Sequence, residues 1–206
     1  MIPNENRKER LIVAASERFL HEGFSNVSIA EIASDLGMSK KTFYKYFRGK
    51  EDLLRVVMDR LLTAIAGELL SIVDGDAPFP EKLDQLMTFL GQRLTLLSRP
   101  MLRDLQRHSP AVWEHVQQFR RERISREFRS LISRGVAEGY VRTDIDIDLF
   151  LMTFIGAVEA VVNPAFLARE PFSVGDVIRS IKTIFFQGIL SRHGNIPSPV
   201  IIRSVP

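Results

Sequence analysis

Five side chains set close together, Lys40, Lys41, Thr42, Tyr44 and Lys45, carry the chemistry of nucleic-acid contact. Lysine ammonium groups neutralise phosphates and can donate to guanine O6 and N7. Threonine offers a methyl and a hydroxyl to base edges, and tyrosine reaches phosphate while its ring lies against the sugar. Lysines alone would describe any solvated helix face. Tyr44 tips the balance, because a bare solvated face seldom carries a large aromatic. Phe43 and Phe47, one turn apart, fall on the other side, where they would lock the segment onto Ile32 and Leu36.

The flanking residues supply what is needed to position that face. Ser28 and Glu31 form S-x-x-E, a capping box that starts a helix. Its apolar residues Ile29, Ile32, Ala33 and Leu36 make the i, i+3, i+4, i+7 stripe of an amphipathic helix. Gly37 stands where that helix would end, and Ser39 caps a second helix after only Gly37 and Met38. Val27 with Ile32, and Met38 with Phe43, are spaced as two hydrophobic staples that fix the entry angles. A helix-turn-helix over 28–47 is predicted. Ahead of it a first helix runs from about Asn6 to His21, ended by Gly23, and behind it a fourth runs from Lys50 to about Val73.

Residues 7–54 resemble the DNA-binding domain of the tetracycline-repressor (TetR) family of transcriptional regulators. The resemblance is carried by Ile12 to Phe19, Gly23-Phe24, Ser28-Ile29-Ala30-Glu31-Ile32-Ala33, Leu36-Gly37-Met38-Ser39, Thr42-Phe43-Tyr44-Lys45-Tyr46-Phe47 and Lys50-Glu51-Asp52-Leu53-Leu54. It implies an all-helical homodimer whose C-terminal domain binds a small ligand. It also implies base and phosphate contacts at Lys40, Lys41, Thr42, Tyr44 and Lys45, with further phosphate contacts at Ser28, Tyr46 and Lys50. Ser39, the cap of the second helix, is counted with them. Lys50 has a reason of its own, since it opens a helix whose backbone N–H groups attract an anion.

Charge agrees with this division. The net charge is +3, from 28 Lys and Arg against 25 Asp and Glu. Residues 1–50 hold nine basic and six acidic residues, whereas 51–206 hold nineteen of each, so the excess lies in the head. Counterion release from DNA would reward it. The absence of cysteine rules out disulfides, thiolate metal sites and a thiol-based sensor, and is compatible with a reducing cytoplasm. The polar N-terminus lacks a secretory apolar run. The longest apolar stretch, 149–168, is broken by Glu159, Asn163 and Pro164, which favours a buried helix over a membrane span. His21, His108, His115 and His193 are scattered, and no nucleophile, phosphate-loop or metal motif accompanies them, so neither an enzyme nor a cofactor is expected. Asp144, Asp146 and Asp148 alternate but lack the rest of a calcium loop and read as helix N-terminal acids.

The expected fold is therefore all-α, with a three-helix head over 1–50 and a larger helical effector-binding and dimerisation domain over 51–206. In the second domain, helices are predicted over 81–97, 101–108, 110–138, 146–168 and 173–191, followed by an extended tail. On the long helix 110–138, Arg120, Arg121, Arg123, Arg126 and Arg129 are assigned to the sides away from the core. The last two helices are apolar almost all round, with Gly156, Ala157, Ala160 and Gly188 allowing close approach, so a second copy of the chain is the economical cover. Such a dimer would present two recognition helices to a palindrome in double-stranded DNA. Trp113, Phe89, Phe119 and Phe154 are candidates to line an effector pocket, with Gln117, Glu159 or Asn163 as polar contacts; plain core packing is the competing reading for each aromatic. Arg93, Arg99 and Arg103 could meet an anionic ligand or simply face solvent. Two other readings stay open: a ligand-independent structural DNA binder, and an enzyme.

Overall fold

The computed structural model describes residues 4–96, 99–161, 172 and 174–189, and every regular element in that set longer than a single bridge is helical. The order is α1 (Asn4–Glu22), α2 (Ile29–Asp35), α3 (Lys40–Phe43), α4 (Lys50–Asp74), α5 (Phe79–Leu96), α6 (Arg99–His108), α7 (Pro110–Phe119), a π-helical turn (Arg120–Ile124), α8 (Ser125–Ala137), α9 (Ile147–Val161) and α10 (Val174–Ile189). No described helix is long and apolar enough to cross a membrane.

Local signals set the ends of the head helices. Ser28 and Glu31 make the reciprocal box: Glu31 N–H donates to Ser28 Oγ at 3.2 Å and Ser28 N–H donates to Glu31 Oε2 at 2.7 Å. Gly37 sits at φ +64°, a left-handed turn that costs a glycine little, and Ser39 Oγ accepts from Thr42 N–H at 3.1 Å. The second helix is shorter than the predicted run to Phe47. After Phe43 the hydrogen bonds tighten to i→i+3, with Lys45 N–H to Thr42 O at 3.3 Å and Tyr46 N–H to Phe43 O at 2.9 Å, so 44–46 close as turns.

Two apolar cores follow. One gathers Leu11, Phe19, Val27, Ile32, Phe43 and Phe47 of the head with Leu53, Leu54, Val57, Met58 and Leu62 of α4, Met101 and Leu105 of α6, and Val112 and Val116 of α7. The other holds Leu69 and Val73 of α4 with Phe79, Leu86, Phe128, Leu131, Phe154 and Ile181. The division at residue 50 thus marks where α4 begins along the chain, while the head's core continues into α4, α6 and α7. Trp113 packs against both cores. The carbonyl of Val73 at the C-terminal end of α4 accepts from Lys82 Nζ at 3.0 Å and Arg134 Nη1 at 2.8 Å, two cations placed at the negative end of the helix.

The predicted single helix over 110–138 contains a π turn, and this corrects the placement of Arg120. It belongs not to the solvated sides but to the interior, 8% exposed. Val116, Arg120, Ile124 and Phe128 are each four residues apart, a spacing that drifts off one face of a 3.6-residue helix. The i→i+5 turn absorbs an extra residue and can keep that row turned inward. The three alternating aspartates also separate: Asp144 pairs with Arg142, Asp148 with Arg129, and Asp146 Oδ1 caps α9 by accepting from Asp148 N–H at 2.8 Å and Leu149 N–H at 3.0 Å. The predicted helices 146–168 and 173–191, and the C-terminal tail, extend beyond the described residues, and Asn163 lies outside them.

Candidate nucleic-acid interface and apolar cavity

The apolar underside of the helix-turn-helix fixes which groups stand outside. Phe43 and Phe47 are fully or almost fully buried, with ring centroids 5.6 Å apart, in one apolar core with Ile32 of α2. Locking them in turns Lys40, Lys41, Tyr44 and Lys45 to solvent; Tyr44 is 57% exposed, and its ring meets the Phe43 ring edge-on at 5.4 Å. Thr42 is half-buried, its hydroxyl 3.0 Å from Ser39 Oγ, and Tyr46, four residues on, is half-buried as well. Ser28 and Ser39 are exposed while serving as caps.

Electrostatics sharpen this face. The acids nearby are engaged elsewhere: Arg18 pairs with Glu22 at 2.8 Å and Asp35 at 3.0 Å, Glu31 closes the capping box, and Asp52 accepts from Arg48 N–H and Arg55. Among the described residues Lys40, Lys41 and Lys45 pair with no acid, so their charge is uncompensated and points outward.

Lys50 departs from the expectation of a phosphate contact. Its ammonium turns inward and donates to Phe24 O and Val27 O, each at 2.8 Å, and lies 4.3 Å from the centroid of the Phe24 ring. Burial lowers its pKa, and the charges of Asp104 and Glu31 work against that shift. This lysine ties the loop between α1 and α2 to the start of α4. Asp104, which the sequence reading did not single out, holds the same loop from α6: its Oδ2 accepts from Ser25 N–H at 2.7 Å.

A second feature lies where α4, α5, α7, the π turn, α8, α9 and α10 meet: an apolar cavity of about 90 Å³. Met58, Leu62, Met87, Phe119, Phe128 and Phe154 contribute much of its wall. Of the predicted pocket residues, Phe119 and Phe154 line it. Phe89 is in the body core, with the Arg93 guanidinium 4.9 Å from its ring centroid. Trp113, Gln117 and Glu159 stand outside the lining; Gln117 Oε1 and Glu159 Oε1 are buried without a hydrogen-bond partner. The charged groups in the wall are Arg93 and Arg120, and Arg120 was the one missed. Its signal was legible, since it interrupts the apolar row Val116, Ile124, Phe128. Among the described residues no cluster of His, Asp or Glu suited to a metal ion occurs.

Comparison with known proteins agrees with the head geometry. Residues 11–57 match the family model described as "Bacterial regulatory proteins, tetR family". The chain is 25% identical over 182 residues to the uncharacterised HTH-type transcriptional regulator YvaF of Bacillus subtilis, covering 88% of this chain and 95% of that protein. It is 23% identical over 195 residues to the HTH-type transcriptional repressor KstR2 of Mycolicibacterium smegmatis, covering 92% and 94%. The fold matches that of the transcriptional regulator FadR of Bacillus subtilis, solved in complex with stearoyl-CoA, with a TM-score of 0.62 at 18% identity over 88% of this chain and 98% of that one. Residues 11–57 thus carry the DNA-binding domain of the tetR family of bacterial regulatory proteins, with an exposed, uncompensated lysine and tyrosine face on a capped two-helix motif, and the protein is a DNA-binding transcriptional regulator.

Proposed function

We propose that the protein is a homodimeric repressor that leaves a palindromic operator when a small apolar or amphipathic effector enters the body cavity. Residues 1–50 bind DNA through Ser28, Ser39, Lys40, Lys41, Thr42, Tyr44, Lys45 and Tyr46, with Lys50 holding the motif in position. Residues 51–206 dimerise and take the effector. The observation that carries this reading is the double membership of α4. Met58 and Leu62 belong to the core beneath the DNA-binding motif and also line the cavity. A molecule that displaces them therefore acts on the seat of the head directly, and bound and free states would favour different head separations. KstR2's name as a repressor and FadR's complex with stearoyl-CoA support the direction of control and the apolar class of effector.

Dimerisation is supported by what α9 and α10 leave uncovered. Leu149 and Met152 on α9 are 64% and 73% exposed, and Ile184 on α10 is 71% exposed. A side chain added at Gly156 or Gly188 would meet nothing within 4 Å of its Cβ, so another helix can approach both closely. A second copy placing the same two helices against these would form a four-helix interface.

Operator fragments selected from genomic DNA, titrated with candidate effectors, test the mechanism. Release of DNA at effector concentrations that saturate the cavity is expected; tight cavity binding with unchanged DNA affinity contradicts it. One observation favours a ligand-independent DNA binder instead: about 90 Å³ is below the roughly 300–1,000 Å³ of ordinary ligand pockets. Occupancy of many genomic sites with no response to any effector would support that second reading.

A further inference from the structure

We propose that the cavity is built for an apolar monocarboxylate, with the acid group held by Arg120 and Arg93 and the hydrocarbon between α4, α5 and α9. The proposal rests on the effector reading above and specifies the chemistry of the same site. The wall contains two guanidinium groups and no acid; its remaining residues are Met, Leu, Ile, Val, Phe and Gly. An arginine is seldom placed in such surroundings, because taking its charge out of water is costly unless a partner meets it. Arg120 is 8% exposed, and burial depresses its pKa, with the Glu159 charge acting in the opposite direction. Glu159 stands outside the wall, and its Oε1 is buried without a hydrogen-bond partner.

A planar carboxylate matches the guanidinium fork and adds charge-assisted hydrogen bonds in surroundings that are otherwise apolar. Arg93, half-buried at the cavity's edge over the Phe89 ring, supplies a second cation for the same oxygens. The π turn is what delivers Arg120 to this place, and such turns recur at functional sites. A cavity of about 90 Å³ holds roughly three waters, so a hydrocarbon tail enters by moving side chains. Met58 and Met87 are suited to that, being unbranched and adaptable, and Met58 is also part of the head's core.

Isothermal titration calorimetry of the full chain with four ten-carbon probes tests this: decanoate, 1-decanol, decyltrimethylammonium and decanoyl-CoA. Decanoate should bind at least about ten-fold more tightly than 1-decanol, as expected for a charge-assisted contact, and the cationic probe should bind least. Arg120→Met should erase the preference of acid over alcohol while 1-decanol still binds. Should that variant unfold, Arg120→Met/Glu159→Leu gives the same reading without a stranded carboxylate. Equal affinities for acid and alcohol, a preference for the cation, or a preference for decanoate that survives loss of Arg120 would overturn the proposal. So would decanoyl-CoA binding more tightly than decanoate with no dependence on Arg120. Operator binding measured on the same samples separates the two ideas: decanoate bound through Arg120 without DNA release would sink the effector reading and leave the head-group assignment standing.

Discussion

Asp104 on α6 accepts a hydrogen bond from the backbone N–H of Ser25 at 2.7 Å, fastening the body of the protein to the loop between α1 and α2. Asp104 is 4% exposed, and its charge also acts on the Lys50 ammonium, which grips the carbonyls on either side of that serine, at Phe24 and Val27. The loop that precedes the capping box is thus held by an anion from α6 and a cation from α4. Any shift of either helix reaches the motif through groups that are already hydrogen-bonded.

Asp104→Ala should therefore loosen the head without dissolving the body. Losing a buried, charge-assisted acceptor costs about 1–3 kcal/mol. Chemical denaturation should show that loss, and hydrogen exchange should show faster exchange at Ser25 and in α2, with α9 and α10 unchanged.

Lys41→Ala and Lys50→Met should weaken DNA binding by different routes. Each phosphate contact contributes about 0.9 to the slope of log affinity against log salt, so removing Lys41 from both subunits should lower the slope by roughly two. Lys50→Met should leave the slope nearly as it is and lower thermal stability instead, because Phe24 O and Val27 O lose their donor. A salt titration of each variant decides; a slope that falls equally for both would return Lys50 to the phosphate-binding set.

The capping box gives the head an acid-sensitive component. The Ser28 backbone N–H, and secondarily the Ser28 side chain, hold the Glu31 carboxyl below the ordinary glutamate value of 4.5. A folded-state pKa below the unfolded one means the unfolded chain takes up the proton first as pH falls. The stabilisation is complete above the unfolded value and fades as pH drops through the folded one. Thermal unfolding of Glu31→Gln between about pH 7 and pH 3 should show a shallower acid-side decline than the parent chain.

Met152→Asp/Ile184→Asp should yield a monomer with intact helix content in analytical ultracentrifugation and circular dichroism. Both side chains are exposed in the single chain, so charge there harms only a helix pairing across subunits. Affinity for a two-half-site operator should fall by at least about ten-fold, because each head then binds alone. A variant that remains dimeric would move the interface off α9 and α10.

Glu159 and Arg120 should behave as a coupled pair. Glu159→Gln leaves the guanidinium without its nearby acid and should lower the melting temperature while tightening decanoate binding. Arg120→Met/Glu159→Leu should be at least as stable as the parent, since replacing a buried pair by apolar groups is often neutral or better. Melting curves of the two variants check this.

Local chemistry made the head legible in the sequence. Ser28 with Glu31, Gly37, Ser39 and the Phe43–Phe47 pair each state a constraint within a few residues, and each stands in the structure as read. The body was legible as helices but not as a site. Arg120 could be placed only by noticing that it continues the row Val116, Ile124, Phe128 at spacings of four residues, which the π turn accommodates; ordinary helical periodicity put it outside. Lys50 was misplaced for the opposite reason: helix position suggested an anion partner, whereas the two carbonyls that capture it lie 23 and 26 residues away. Contacts at that distance leave no periodic trace. The aromatic residues singled out for a pocket divided between wall and core because composition does not say which side of a helix faces a cavity.

Footprinting of the full chain on selected genomic fragments, with Lys41→Ala/Tyr44→Ala run beside it, tests the central claim most directly. The account predicts two equivalent protected half-sites centred about 10 base pairs, or a whole multiple of a helical turn, apart, with protection lost in the variant while its fold is retained. A single asymmetric footprint, or protection undiminished when the exposed lysine and tyrosine are removed, would contradict it.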